Sequence, residues 1–244
     1  MTSPAPTERV LGFIPAKGGS TRFPRKNIAL LDGRPLLEWS VDSARASGVI
    51  DALAVSSEDD DVLDCAARLQ VDHVLRRPIH LARDPAGIVD VALHELDRLQ
   101  ELGHAFDVIV ILAPCAPLRT ADDVRDAVDL WRRVRPAFVV SVSEFTHTPF
   151  AALVIDADGH LQPVHPEHFG RRSQQMPQAF RPNGAIHVLG IDRFRETRDY
   201  LTPPLVPHVM PRERSVDVDR PEDLDAAAAL LRRSRRGPDP DPAP

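Results

Sequence analysis

Residues 10–28 read VLGFIPAKGGSTRFPRKNI. The run Val10–Ile14 carries no polar side chain, the pattern of a strand with helices on both faces of its sheet. It leads into a loop with two adjacent glycines and four cations, Lys17, Arg22, Arg25 and Lys26. The chain has 30 basic residues, and the only two lysines among them are Lys17 and Lys26. Everywhere else positive charge is written as arginine, a rigid fork, whereas lysine is a compact point charge on a flexible stem. A glycine pair after a strand lets the backbone approach an anion, and its amides can point at phosphate oxygens. The spacing matches neither the G-x-G-x-x-G turn of dinucleotide folds nor the G-x-x-x-x-G-K-[ST] of P-loops. A basic surface turn would account for the charges, but not for the placement of both lysines. The stretch predicts a phosphate cradle at the end of the first strand.

Outward from that strand, short apolar runs alternate with amphipathic segments, as in a parallel sheet covered by helices. The expected strands are Val10–Ile14, Ala52–Ser57, Val71–Leu75, Asp107–Ala113 and Ala137–Ser143. Pro35–Ser47 reads as a helix entered at proline and ended by Gly48. Asp61–Gln70 and Val89–Gly103 share its period, and Thr120 with Asp123 forms a capping-box pattern before a fourth helix. The fold class is α/β, a mostly parallel sheet between helices. After Glu144 the rhythm changes. Asp158-Gly159 between two β-prone runs predicts a hairpin. An isolated hairpin is marginally stable, so its apolar face should be covered by a partner subunit. The Asn183-Gly184 pair predicts a turn before another strand. The organisation expected is one domain over 8–233, with 145–182 as a protruding arm. The Pro-rich ends, 1–7 and 234–244, are expected to be disordered.

With 244 residues and 43% hydrophobic content the chain can bury a sizeable core. Its formal net charge of −6 argues against nucleic-acid binding, which needs a basic face. A basic loop on an acidic protein points instead to a small anionic ligand. The two cysteines, Cys65 and Cys115, give no metal spacing and suggest free thiols in a reducing cytoplasm. The start, MTSPAPTER, lacks the apolar core of a secretory signal. No stretch approaches the apolar length of a membrane helix.

A second constellation is SVDVDRPEDL, Ser215–Leu224. In an extended run Asp217 and Asp219 share one face while Val216 and Val218 take the other. Two carboxylates on one face can hold Mg²⁺, which prefers oxygen ligands and completes its shell with phosphate and water. A solvated strand edge running into a helix at Pro221 would look the same in isolation. Beside a phosphate cradle, the pair reads as half of a nucleoside triphosphate site. The third constellation, Arg171–Val188, is rich in amides and guanidinium groups, which suit carboxylates and hydroxyl-rich ligands. Pattern alone does not separate it from a polar surface loop. His165 and His168 have a ligand-like gap, but Pro166 argues against a helix that would align them, and both are taken as loop residues. There is no G-x-S-x-G and no evident catalytic triad.

The stretches IPAKGGSTRFPRKNIALLDGRPLL, LAPCAPLRTADDV, QQMPQAFRPNGAI and VDVDRPEDL occur in the order seen in the acylneuraminate cytidylyltransferases, the CMP-sialic acid synthetases. The chain resembles that family from about Val10 to Leu231. The resemblance implies a Rossmann-like nucleotidyltransferase domain with a β-hairpin dimerisation arm, hence a homodimer. It implies CTP as donor, Mg²⁺ as cofactor, and attack of an acidic sugar's anomeric hydroxyl on the α-phosphate. Carried onto this chain, the nucleotide loop spans Ala16–Asn27 and includes Ala16, Lys17, Gly18, Gly19, Ser20, Arg22, Lys26 and Asn27. Arg77 and Asp84 match the cytidine pocket. Asp217 and Asp219 match the metal carboxylates. Gln175, Arg181, Asn183 and His187 match the acceptor side. Lys17, Lys26 and Asp219 are the expected catalytic residues.

The departures are specific. The family usually has Arg at Lys17, an amide at Ala113, Thr at Arg220 and, in its bacterial members, Tyr at His187. Losing the Thr removes a cap from the last helix. Ala113 and His187 keep a different acid acceptor open, such as deoxyoctulosonic acid or a phosphonate. A non-catalytic CTP-binding relative is the third reading, and it conflicts with retention of both lysines and both aspartates.

Overall fold

The side chains of the first strand divide between two cores. In β1 (Val10–Pro15), Val10 and Ile14 pack into one apolar cluster and Leu11 and Phe13 into another, all four without exposed surface. Alternate residues face opposite sides of a sheet, so a strand covered on both sides must be apolar throughout. Gly12 is part of the same economy: a Cβ there would lie 2.8 Å from Leu53 Cδ1 and 3.0 Å from Ile50 Cγ2. The computed structural model describes residues 8–236.

The elements follow in the order β2 (Leu30–Leu31), β3 (Arg34–Pro35), α1 (Leu36–Ser47), β4 (Ala52–Ser57), α2 (Asp60–Arg68), β5 (His73–Arg76), α3 (Ile88–Glu101) and β6 (Val108–Leu112). Then come α4 (Ala121–Val134), β7 (Phe138–Glu144), β8 (Leu153–Ile155), β9 (Leu161–Pro163), β10 (Phe180–Gly190), α5 (Ile191–Thr197), β11 (Leu205–Val209) and α6 (Pro221–Arg236). Seven strands form one sheet in the order β11-β7-β10-β6-β1-β4-β5. Only β10 runs against its neighbours, β6 and β7. Residues of α1, α2 and α4 build the core on one face, and those of α3 and α5 the core on the other. The five expected strands and four expected helices are all present, with ends shifted by a few residues. Gly48 closes α1 at φ 71°, and the Thr120–Asp123 capping box opens α4.

Several local expectations are corrected. Asn183-Gly184 does not precede a strand but lies inside β10, whose register against β7 shifts between Pro182 and His187. Gly184, at φ +70°, takes the left-handed conformation that such a bulge requires. The run Ser215–Asp219 joins no sheet; one bond from Val218 N–H to the Cys115 carbonyl (2.8 Å) ties it to the loop after β6. The last helix continues to Arg236, so 234–236 are helical rather than disordered; the ends expected to be disordered, 1–7 and 237–244, lie outside the described residues. Asp223 supplies the cap that Arg220 lacks, accepting from the amides of Asp219 (2.9 Å) and Arg220 (2.8 Å). Edge strand β11 was missed because Pro207 masks it, and an edge is where a strand tolerates proline.

The predicted hairpin is β8–β9, a separate two-stranded sheet closed by Asp156–His160. Its apolar side chains are exposed: Ile155 by 72% and Leu161 by 63%. The segment leaves and rejoins the main sheet through the pairing of Phe180 with Glu144.

Candidate functional site

The loops that follow β1, β4 and β6 gather at the carboxyl ends of adjacent parallel strands, where open α/β sheets present their ligand crevices. The glycine loop folds back on itself. Asn27, buried, donates from Nδ2 to the Lys17 carbonyl (2.8 Å), joining the two ends of the loop. Gly18 is pressed against the turn after β4: a Cβ on it would stand 2.4 Å from Asp59 Cβ. Ala16 is fully buried, Ser20 Oγ accepts from Phe23 N–H (3.4 Å), and Lys17 projects into solvent.

Three of the loop's four cations meet carboxylates. Lys26 Nζ donates to Asp219 Oδ1 (2.7 Å) and to the Val218 carbonyl (3.2 Å), and Arg22 holds Asp219 Oδ2 at 2.7 Å. Arg25 pairs with Asp61 at 2.6 Å. The hydrogen bond from Lys26, with the charges of Lys26, Arg22 and Arg220, keeps the Asp219 carboxyl below its ordinary value despite partial burial. First loop and acidic pair, some 190 residues apart in sequence, are thus in direct contact.

Asp217 and Asp219 line a cleft of about 640 Å³ together with Arg181, Asn183, His187, Tyr200 and Arg212. Asn183 is buried and its amide is committed: Oδ1 accepts from Ser141 Oγ (2.5 Å) and Ala185 N–H (3.1 Å), and Nδ2 donates to Ser215 Oγ (2.9 Å). It fixes the β10 bulge and the start of the Asp217 segment. His187 is 6% exposed, its Nδ1 has no hydrogen-bond partner, and its ring meets Tyr200 edge-on at 4.8 Å. Burial lowers its pKa to about 4, so the imidazole is neutral near pH 7. Gln175, exposed in a short turn of the arm, is not among the residues lining this cleft.

Arg77 and Asp84 lie elsewhere. Arg77, 5% exposed, donates to the Ser56 carbonyl (2.9 Å) and hydroxyl (3.3 Å) and lines a cleft of about 760 Å³ with Glu58 and Arg98. Asp84 is exposed in a third recess, of about 580 Å³. Three residues at the site escaped the sequence reading. Cys115 stands near Asp217, and burial together with that carboxylate's charge raises its thiol pKa to about 12. Arg212 reaches the cleft from the turn after β11, and no local pattern marks it. Glu58 could have been found, since it is the first acidic residue after β4.

The family described as "Cytidylyltransferase" matches residues 11–96. The pseudaminic acid cytidylyltransferase of Campylobacter jejuni is 28% identical over 222 residues, covering 91% of this chain and 96% of that one. The CMP-N,N'-diacetyllegionaminic acid synthase of Legionella pneumophila is 29% identical over 226 residues, with 91% and 96% covered. The chain is similar to these cytidylyltransferases over 91% of its length. The enzyme also shares its fold with a CMP:2-keto-3-deoxy-manno-octonic acid synthetase solved with CTP, at a TM-score of 0.71 and 14% identity over 93% of this chain and all of that one. This agrees with the expected Rossmann-like nucleotidyltransferase fold.

Proposed function

We propose that the enzyme transfers CMP from CTP to the anomeric hydroxyl of a nonulosonic acid, the acceptor class named in its relatives. The observation that carries this reading is the contact of Lys26 and Arg22 with Asp219 at the mouth of a cleft that also holds Arg181 and Arg212. The acceptor oxygen forms a bond to the α-phosphorus, the bond from that phosphorus to the bridging oxygen breaks, and pyrophosphate leaves with its electron pair. The hydroxyl proton passes to solvent or to a nearby carboxylate. Positioning and charge neutralisation do most of the catalysis in such a displacement. Lys17 and Lys26 would take the charge of the triphosphate, with the amides of Gly18 and Gly19, Ala16, Ser20, Arg22 and Asn27 shaping the loop around it. Arg77 and Asp84 would frame the base. Arg181 and Arg212 suit the acceptor's carboxylate, since guanidinium forks pair with carboxylates. Neutral His187 lines the cleft, and Asn183 holds the strand that carries it.

Asp217 and Asp219 fit Mg²⁺. They present hard carboxylate oxygens, and Asp217 has no salt bridge among the described residues. When bound there, the ion would neutralise charge on phosphate oxygens. Lys26 and Arg22 would meanwhile hold Asp219 in place. The exposed β8–β9 face supports a homodimer closed through the arm, and the two free cysteines support a cytoplasmic setting. The test is pyrophosphate release with CTP against N-acetylneuraminate, its pseudaminic and legionaminic counterparts, deoxyoctulosonate and small phosphonates, with and without chelator. Turnover with a nonulosonic acid that chelator abolishes is expected. Release only with deoxyoctulosonate or a phosphonate would move the acceptor, and silence with CTP still bound would remove the catalytic reading.

A further inference from the structure

The two amides that the glycine pair should offer to an anion are already engaged. Gly18 N–H donates to Glu58 Oε1 at 2.8 Å, and Gly19 N–H donates to the same oxygen at 3.1 Å. Consecutive amides converging on one oxygen form an anion-binding concavity, and here a side-chain carboxylate fills it. The engagement is built in, because Glu58 follows β4 directly and the adjacent Asp59 blocks any side chain at Gly18. The second oxygen, Glu58 Oε2, is buried without a hydrogen-bond partner. A half-satisfied carboxylate has an incentive to move. A place to go is at hand: Glu58 lines the same cleft as Arg77, whose guanidinium already feels its charge.

We propose that Glu58 is a latch on the nucleotide loop, a carboxylate that competes with the triphosphate for the Gly18 and Gly19 amides and must release them when the nucleotide binds. The inference rests on the nucleotide site proposed above and adds a regulated step to it. A ligand that binds only the released form sees its affinity reduced by the fraction of molecules in that form. A latch closed in about nine molecules of ten therefore weakens CTP about 10-fold. Charge makes the competition selective. Triphosphate and pyrophosphate, with several charges to spread over Lys17, Arg22 and Lys26, can displace one carboxylate, whereas a weakly charged anion gains too little.

Calorimetric titration of the full chain with CTP and with pyrophosphate tests the latch in the wild type and in Glu58→Gln, which keeps the side chain's shape and removes its charge. The expected result is binding about 10-fold tighter in the variant for both ligands. Amide exchange supplies an independent reading: in Glu58→Ala without nucleotide, Gly18 and Gly19 should exchange faster than in the wild type, and CTP should restore their protection. Unchanged or weaker binding by Glu58→Gln, with the wild type binding CTP normally, overturns the latch and leaves the nucleotide site standing. Failure of both proteins to bind CTP or pyrophosphate overturns both.

Discussion

The glycine loop and the 640 Å³ cleft, which meet at Asp219, are built on opposite principles. The side proposed for the nucleotide is one continuous loop whose amides and three of whose four cations meet carboxylates: Glu58 on the amides, Asp61 on Arg25, Asp219 on Arg22 and Lys26. The cleft proposed for the acceptor is assembled from β10, the turn after β11 and the run before α6; Asn183 and Arg212 are bonded within the protein, but other polar groups are not. His187 Nδ1 has no partner, and Arg181 forms no salt bridge among the described residues. A glycine-rich loop carrying four cations has little apolar surface to hold its shape, so carboxylates must do so. The acceptor side inherits its shape from the sheet. Charge should therefore govern the first side and geometry the second.

Removing charge from the loop should have the largest effect. Lys26→Ala is expected to lower kcat/KM on the order of 10³-fold, the scale of losing a preorganised charge at a reacting group. The same change should barely shift the thermal midpoint, because Lys26 ends in an ion pair rather than in the core. Steady-state pyrophosphate release and a melting curve check both halves. A near-normal rate would break the comparison at its stronger end.

Acid should act through buried groups away from the loop. His187 has its pKa lowered from 6.5 to about 4 by burial, so the unfolded chain takes up a proton there before the folded one does. Stability should fall as pH drops from about 6.5 to 4, by about 3 kcal/mol if this site acts alone. Asp123 comes next. Burial would raise its pKa, but His208, the Arg214 fork (2.8 and 3.0 Å) and Thr120 hold it well below the usual carboxylate range. Its contribution is present above the ordinary value of 3.8 and is lost only as pH falls through the depressed one. Urea unfolding from pH 7 to pH 3 should show the first loss in the wild type and not in His187→Phe. At pH 7, Asp123→Asn should cost about 2 kcal/mol.

The smallest effect tests geometry alone. Gly184→Ala adds one methyl into open space but strains a residue at φ +70°. It should cost about 1 kcal/mol and raise KM for the acceptor several-fold while leaving CTP affinity unchanged. Equal effects on both substrates would show that the bulge supports the whole cleft rather than its acceptor side.

Much of the fold could be read before any coordinates because its rules are local. Val10–Ile14 had to be a doubly covered strand, Gly48 had to end α1, and Thr120 with Asp123 had to start α4. Where reading failed, the deciding contacts were distant. Pro207 hid β11 because only its edge position makes proline acceptable there. Arg77, expected at the cytidine pocket, is also bonded to Ser56, a contact that no short pattern announces. Asn183 looked like a turn residue, and two side-chain partners from elsewhere in the chain, Ser141 and Ser215, make it a fixed post.

The sequence by itself determined the layered sheet, the cation-bearing glycine loop and the pair of aspartates, because periodicity, glycine and charge act over a few residues. Only the tertiary structure decided that Lys26 would meet Asp219, that Glu58 would occupy the glycine amides and that His187 would be neutral. Those outcomes depend on which surfaces are brought together and how much water they exclude, and neither quantity is written in any short stretch of chain.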